Sequence, residues 1–252
     1  MLARGSGSAV AASLGVNFTD RSDSSDRVAT GEYAGAPGYE QSHWNNVEGA
    51  AGTSVQLVDD TGLLLDGVGV TWSCGNTWRS GSAISTPDQR LLFGYLDDTA
   101  NGDLLRPQID ITGVPYPQYS VILYLGSDTP NAFDYGAFFL QDSSGNDLTA
   151  RVYGGEIRMF SGTYRQIPAD STDPNTAEAG GNFIVFEGLD LPHIRIGGAR
   201  TASSRASIAA VQIVADLLPV IREFSAVPPV VDPGETTTLA WAVERTERLE
   251  LN

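Results

Sequence analysis

The sequence predicts an all-β chain, in which a large sandwich of antiparallel sheets precedes the opening strands of a second β-unit. Three observations predict it. Apolar residues alternate with polar ones in short runs instead of recurring at helical spacing. Twenty-eight glycines and 13 prolines in 252 residues break those runs with turns. Hydrophobic residues make up 41%, enough for a core, while charged residues are only 18%, below the roughly 25% of an average globular domain.

Residues 1–12 are small and polar and read as a flexible lead. Ser13-Leu14-Gly15-Val16-Asn17-Phe18 alternates with the period of a half-buried strand. Thr19–Ala36, rich in Ser, Asp and Gly, reads as a long loop. Ser54–Asp59 sets Val55 and Leu57 on one face, and Val68–Ser73 does the same with Val68, Val70 and Trp72. Leu91–Leu96 is read as a strand. Tyr119–Leu125 (YSVILYL) is a dense run of β-formers that predicts a central strand. Gly136–Gln141 and Leu148–Tyr153 flank the turn Asp142–Asn146, and Glu156–Phe160 and Thr163–Ile167 flank Ser161-Gly162. Asn182–Glu187, His193–Ile196 and Ser207–Val214 complete the sandwich, expected over 13–216.

A boundary falls near Asp216–Pro219. Beyond it an extended segment reaches the turn Pro233-Gly234, and Thr236, Thr238 and Ala240 then alternate with Thr237, Leu239 and Trp241. Residues 219–252 resemble the first strands of immunoglobulin-like modules carried in tandem by bacterial surface proteins. Such a domain takes about 100 residues, so the expectation is a truncated Ig-like domain with unpaired last strands and with Leu239 and Trp241 facing its core.

The larger part carries S-L-G-V-N-F, H-W-N-N-V-E-G, L-V-D-D-T-G, V-T-W-S…N-T-W, L-F-G-Y-L-D-D, V-P-Y-P-Q-Y-S-V-I-L-Y-L, G-N-F-I-V-F-E-G-L and A-A-V-Q-I-V in that order. This order resembles jelly-roll, lectin-like or carbohydrate-binding modules of large secreted proteins from environmental bacteria. The resemblance implies a jelly-roll-type antiparallel β-sandwich outside the cell, secreted or on its surface, with the export signal upstream of this chain. It supplies no catalytic residues.

Composition excludes several functions. The formal charge is −16, which repels phosphate backbones and anionic membranes and argues against nucleic-acid partners and membrane insertion. All fifteen cations are arginine. One cysteine, Cys74, permits no intrachain disulfide, and two histidines, His43 and His193, permit no multi-histidine metal centre. No run approaches the ~20 apolar residues of a membrane span.

Two segments offer surfaces for a sugar. Trp78 and Arg79 lie in a polar, Gly-rich stretch, SCGNTWRSGS. Trp44 with Asn45 and Asn46 joins a flat apolar face to hydroxyl-matching amides. The plainer reading puts Trp44 and Trp72 in the core, with the two asparagines holding a turn. Asp97, Asn101 and Asp103 space oxygen ligands as in a calcium loop, so a structural calcium is a candidate. Thr99 and Gln108 break that pattern, and a solvated acidic turn is the alternative. Asp59-Asp60-Thr61-Gly62 reads as a turn. Gly197-Gly198-Ala199-Arg200 with Arg205 reads as a loop, able in principle to grip an anionic sugar through arginine. Paired carboxylates are plentiful, Asp110, Asp134, Glu156 and Glu187 among them, so meeting the glycosidase spacing is a weak signal. No G-x-S-x-G, H-E-x-x-H or P-loop occurs.

Three functions fit, in order of preference: a non-catalytic glycan-binding module of a larger multidomain protein; a structural or adhesive spacer; and a polysaccharide hydrolase or lyase of jelly-roll fold. No cofactor is expected beyond the candidate calcium. The long stretches 19–53 and 73–90 favour binding over a spacer.

Overall fold

In the computed structural model, the described residues are 12–20, 25–81, 83–97, 107–128, 136–154, 159–175, 181–200, 205–216, 220–227, 230, 232–234 and 236–244. The chain runs through β1 (Ser13–Thr19), β2 (Asn45–Glu48), β3 (Ala51–Ser54), β4 (Gly69–Ser73) and β5 (Asn76–Arg79) to a short helix, α1 (Pro87–Leu91). Then follow β6 (Gly94–Asp97), β7 (Gln108–Thr112), β8 (Tyr119–Tyr124), β9 (Gly136–Gln141), β10 (Val152–Tyr153) and β11 (Gln166–Ile167). The last are β12 (Phe183–Leu189), β13 (His193–Arg200), β14 (Ala210–Ala215), β15 (Val220–Val227) and β16 (Thr238–Glu244). Two compact units divide after Ala215.

The first unit is an all-β sandwich of two six-stranded sheets, ordered β11-β12-β8-β14-β1-β2 and β10-β9-β13-β7-β4-β3. Four antiparallel pairs nest inside one another: β1 with β14, β7 with β13, β8 with β12, and β9 with β10. That nesting is a long hairpin rolled over itself, the strand order of a jelly roll. Pairings β14–β8 and β13–β9 join the rolled layers. Two outer pairs run parallel, β1–β2 and β11–β12.

The alternation seen in sequence fills the core. Leu14, Val16 and Phe18 of β1 meet Val121 and Leu123 of β8, Val211 and Ile213 of β14, and Ile109, Ile111, Phe138, Leu140, Ile194 and Ile196 of the opposite sheet in one buried cluster. β8 is buried on both faces, which explains its near-continuous apolar run. Its outward residues Ile122 and Tyr124 join Phe183 and Val185 of β12 beneath a second layer, to which Val28, Ala34, Ala36, Trp44, Leu91, Leu92 and Phe160 contribute. Much of the segment expected as a loop over 19–53 is thus part of the packing.

Several expected elements are revised. Ser54–Asp59 is not a strand; pairing ends at Ser54, and Val58 bridges Leu64 around a turn at Asp59. Leu91–Leu96 divides between α1 and β6. Helix α1 begins at a capping box, where Thr86 Oγ1 accepts from Gln89 N–H and the Gln89 side chain accepts from Thr86 N–H, with Pro87 at the first helical position. Strand 148–153 shrinks to β10, and 163–167 to β11, which pairs with β12; most of the strand expected over 156–160 lies outside the described residues. The Asp142–Asn146 turn forms, with Asp142 Oδ1 accepting from Ser144 and Asn146 N–H. Gly197–Arg200, read as a loop, is the second half of β13, and Gly197 has no room for a side chain because the Phe139 ring lies over it.

In the second unit β15 and β16 pair antiparallel from Val220↔Glu244 to Val227↔Thr238, with an irregularity between Ile221 and Glu223. Gly234 adopts a φ of 94° at the Pro-Gly turn. The expected inward direction of Leu239 and Trp241 concerns side chains outside the description.

Candidate functional site

The end of the sandwich where β1 and β8 finish and β14 begins gathers the polar groups of interest. β5 and β6 pair antiparallel there, Trp78 opposite Tyr95 and Arg79 opposite Gly94. The far edge of β6 bonds through Leu96 to Ile208 at 2.9 and 3.2 Å. Gly94 permits this placement: a Cβ on it would lie 2.8 Å from Phe18 O and Asp20 N. The ribbon is therefore held by the chain following β1 and the chain preceding β14.

Alternation along β5 then sorts its side chains. Thr77 and Arg79 turn to Asp20: Thr77 Oγ1 donates to Oδ1 at 2.8 Å, and Arg79 Nη1 lies 3.4 Å from Oδ2. Trp78 turns the other way and is 47% exposed. Its Nε1–H donates to Asp128 Oδ2 at 3.0 Å. Asp128 is held in turn by Arg205, whose Nη2 donates to Oδ1 at 3.2 Å while Nη1 reaches Asp97 Oδ2 at 3.4 Å. Asp97 is 7% exposed, and its backbone carbonyl accepts from Cys74 Sγ. An exposed indole is thereby fixed through a chain of charge-assisted bonds to a buried carboxylate.

Trp78 and Arg79 thus fall in one cluster, but Trp44, Asn45 and Asn46 do not join it. Trp44 is 4% exposed, its Nε1–H donates to the carbonyls of Ala34 and Gln41, and its ring meets Tyr124 edge-on at 5.9 Å. Asn45 Nδ2 donates to Gly15 O and Val58 O, and its Oδ1 accepts from Val58 N–H. Asn46 binds the backbone of Val28 and Trp44 and accepts from Asn17 Nδ2. These amides staple the outer layer to β1 from within strand β2, where both residues pair alongside Val16 and Asn17, and not from a turn. Trp72 is a core residue whose Nε1–H donates to Gly49 O.

Of the calcium candidates, Asp97 is paired with Arg205, and Asn101 and Asp103 lie outside the described residues. Among the described residues, no group of three or more His, Cys, Asp or Glu is arranged to hold a metal ion. Asp59 caps its own turn. Burial works against its charge, but bonds from Thr61 Oγ1 and from the Leu63 and Thr61 N–H groups hold its carboxyl below the usual range.

A second polar cluster lies on β7 and β13, where Asp110 accepts from Gln108 Nε2 at 2.8 Å and Arg195 Nε at 2.9 Å, with His193 Nε2 at 3.3 Å. Partial burial raises its pKa, but these partners outweigh that and leave it lowered. Such a carboxylate is ionised at neutral pH and unsuited to donating a proton. Asp134 and Glu156 lie outside the described residues, and Glu187 is exposed.

Sequence reasoning missed Asp20, Asp128 and the use Arg205 makes of Asp97. The one available signal was the placing of G-S-D directly after the strongest strand. The class defined by fold and site is a jelly-roll β-sandwich with an anchored, solvent-facing tryptophan at one end. No family model, curated protein or solved structure matches the chain.

Proposed function

We propose that the sandwich is a non-catalytic, extracellular glycan-binding module of a larger secreted or surface protein, with Trp78 as the platform on which a sugar ring stacks. On the same proposal the hairpin β15–β16 belongs to an immunoglobulin-like domain. One observation carries the reading: the Trp78 ring is half exposed, yet its Nε1–H is bonded to Asp128. Exposing a large apolar ring forgoes hydrophobic stabilisation, and a ring already held in place loses little entropy on binding. Asp128 beside it offers acceptor capacity to sugar hydroxyls. The spacer reading draws on Trp44 and Trp72, both buried.

A glycan-array screen of the full chain, with and without calcium, beside Trp78→Ala tests the proposal. Retention of at least one glycan, lost in Trp78→Ala, is the expected result. No retention under either condition, or retention indifferent to Trp78, refutes it and leaves the spacer.

A further inference from the structure

We infer that Asp128 makes the Trp78 end selective for glycans whose ring hydroxyls are free, and that it turns away the same chains once those hydroxyls are O-acetylated; this inference rests on the glycan-binding reading above. The tryptophan ring by itself reads no substitution pattern. The indole has one polar hydrogen, and Asp128 Oδ2 takes it at 3.0 Å, so the ring offers a sugar only its apolar face. Polar recognition therefore falls to the carboxylate at the Nε1 edge. A sugar stacked on the ring and overhanging that edge brings its peripheral hydroxyls to Asp128.

Asp128 is placed and oriented for that role. Tyr95, the cross-strand neighbour of Trp78, is buried, and Gly126 lies so close to its ring that a Cβ there would stand 2.6 Å from Tyr95 Cδ1. Ser127 is buried as well. The chain is thereby pressed against β6 just before Asp128 and sets its carboxylate at the indole edge. Both oxygens are oriented, Oδ2 by Trp78 and Oδ1 by Arg205 Nη2 at 3.2 Å. Each oxygen accepts that one described bond, whereas a carboxylate oxygen has two lone-pair directions, and the side chain is still 26% exposed. A carboxylate only accepts. A free hydroxyl donates to it; an acetyl ester has no hydrogen to give and sets its own acceptor oxygens against the carboxylate. A site built to bond a hydroxyl rejects the analogue that lacks it. At a partly exposed charged acceptor, each lost donor weakens binding about tenfold.

The test uses the full chain on soluble glucan, mannan, galactan and xylan, each as the free polymer, after partial O-acetylation, and after de-esterification of the acetylated sample. Trp78→Ala, Asp128→Ala and the isosteric Asp128→Asn are run in parallel. The expected result is Trp78-dependent retention of at least one free polymer that falls about tenfold on acetylation and returns on de-esterification. Both Asp128 variants should narrow the ratio of free to acetylated retention, Asp128→Ala by removing the acceptor and Asp128→Asn by presenting an amide donor where an acceptor stood. A ratio is read because any general weakening of the platform cancels in it, and the asparagine variant keeps the comparison open if the alanine variant fails to fold. Trp78-dependent retention that is indifferent to acetylation, or a ratio that survives both Asp128 substitutions, overturns the inference while leaving glycan binding intact. No Trp78-dependent retention on any free polymer overturns the glycan-binding reading and this inference with it.

Discussion

Replacing Tyr124 by phenylalanine removes one oxygen atom from a buried hydrogen-bond network beneath the outer layer. Tyr124 and Ala36 are wholly buried and Gln212 nearly so, at 0%, 0% and 1% exposure. The phenol donates to Gln212 Oε1 at 2.9 Å and accepts from Ala36 N–H at 3.1 Å. Burial pushes this phenol above the usual tyrosine range, so it remains a donor at any working pH. The Gln212 amide is held elsewhere by Tyr39 O and Gln41 Oε1, and cannot swing away without breaking those bonds. The substitution therefore strands one buried donor and one buried acceptor. At about 1–3 kcal/mol for each unsatisfied group, the loss is roughly 2–6 kcal/mol. A loss of about 3 kcal/mol lowers Tm by roughly 6–12 °C in a domain of this size. Urea titration followed by tryptophan fluorescence, with hydrogen exchange at Ala36, measures both the energy and its location. A loss under about 0.5 kcal/mol with Ala36 still protected would refute the reasoning, since the layer over β8 would then not depend on this network.

Two further outcomes are expected. Trp44→Ala should cost about 3–5 kcal/mol, as a large buried side chain does, whereas Trp78→Ala should stay within about 0.5 kcal/mol of the parent; thermal melts of the two decide it, and equal losses would contradict the burial assigned to each ring. For Asp110 the folded pKa is depressed below that of the unfolded chain, so its contribution is complete above the unfolded value near pH 4 and disappears as pH falls through the folded value. Asp110→Asn should therefore flatten the acid limb of the stability curve below about pH 4, and an unchanged acid limb in urea titrations at stepped pH would disprove the assignment.

Strands with their own local signal were legible from sequence. β8 and β12 are runs of β-formers because the sandwich covers both of their faces, and β1 and β4 show a clear apolar alternation. β7 was missed because QIDIT carries only two core residues, Ile109 and Ile111, and is a strand by virtue of its neighbours β4 and β13. Helix α1 announces itself only through Thr86-Pro87-Asp88-Gln89, since five residues are too few for a helical period to register. Three tryptophans of the sandwich have the same chemistry and different fates. Trp44 and Trp72 find backbone carbonyls inside the fold, while Trp78 finds Asp128, fifty residues away. Arg205 meets Asp128 and Asp97 across 77 and 108 residues. No local pattern encodes such separations, so the tryptophan was a candidate and its anchor was invisible.

The nesting of β1 against β14 also determines how the sandwich bears a pull on its ends. Ser13 pairs with Val214, and Ala215 N–H donates to Ala12 O at 2.9 Å, so the first and last strands meet at their outer ends. Tension applied at those two points acts along the inter-strand hydrogen bonds, which in an antiparallel pair lie perpendicular to the strands. The ladder from Ser13↔Val214 to Asn17↔Ala210 is then loaded one rung after another instead of all at once. In a chain under tension the sandwich would open like a zipper from this seam, and the Trp78 cluster, seated past the far ends of the same two strands, would be among the last parts of that seam to feel the force.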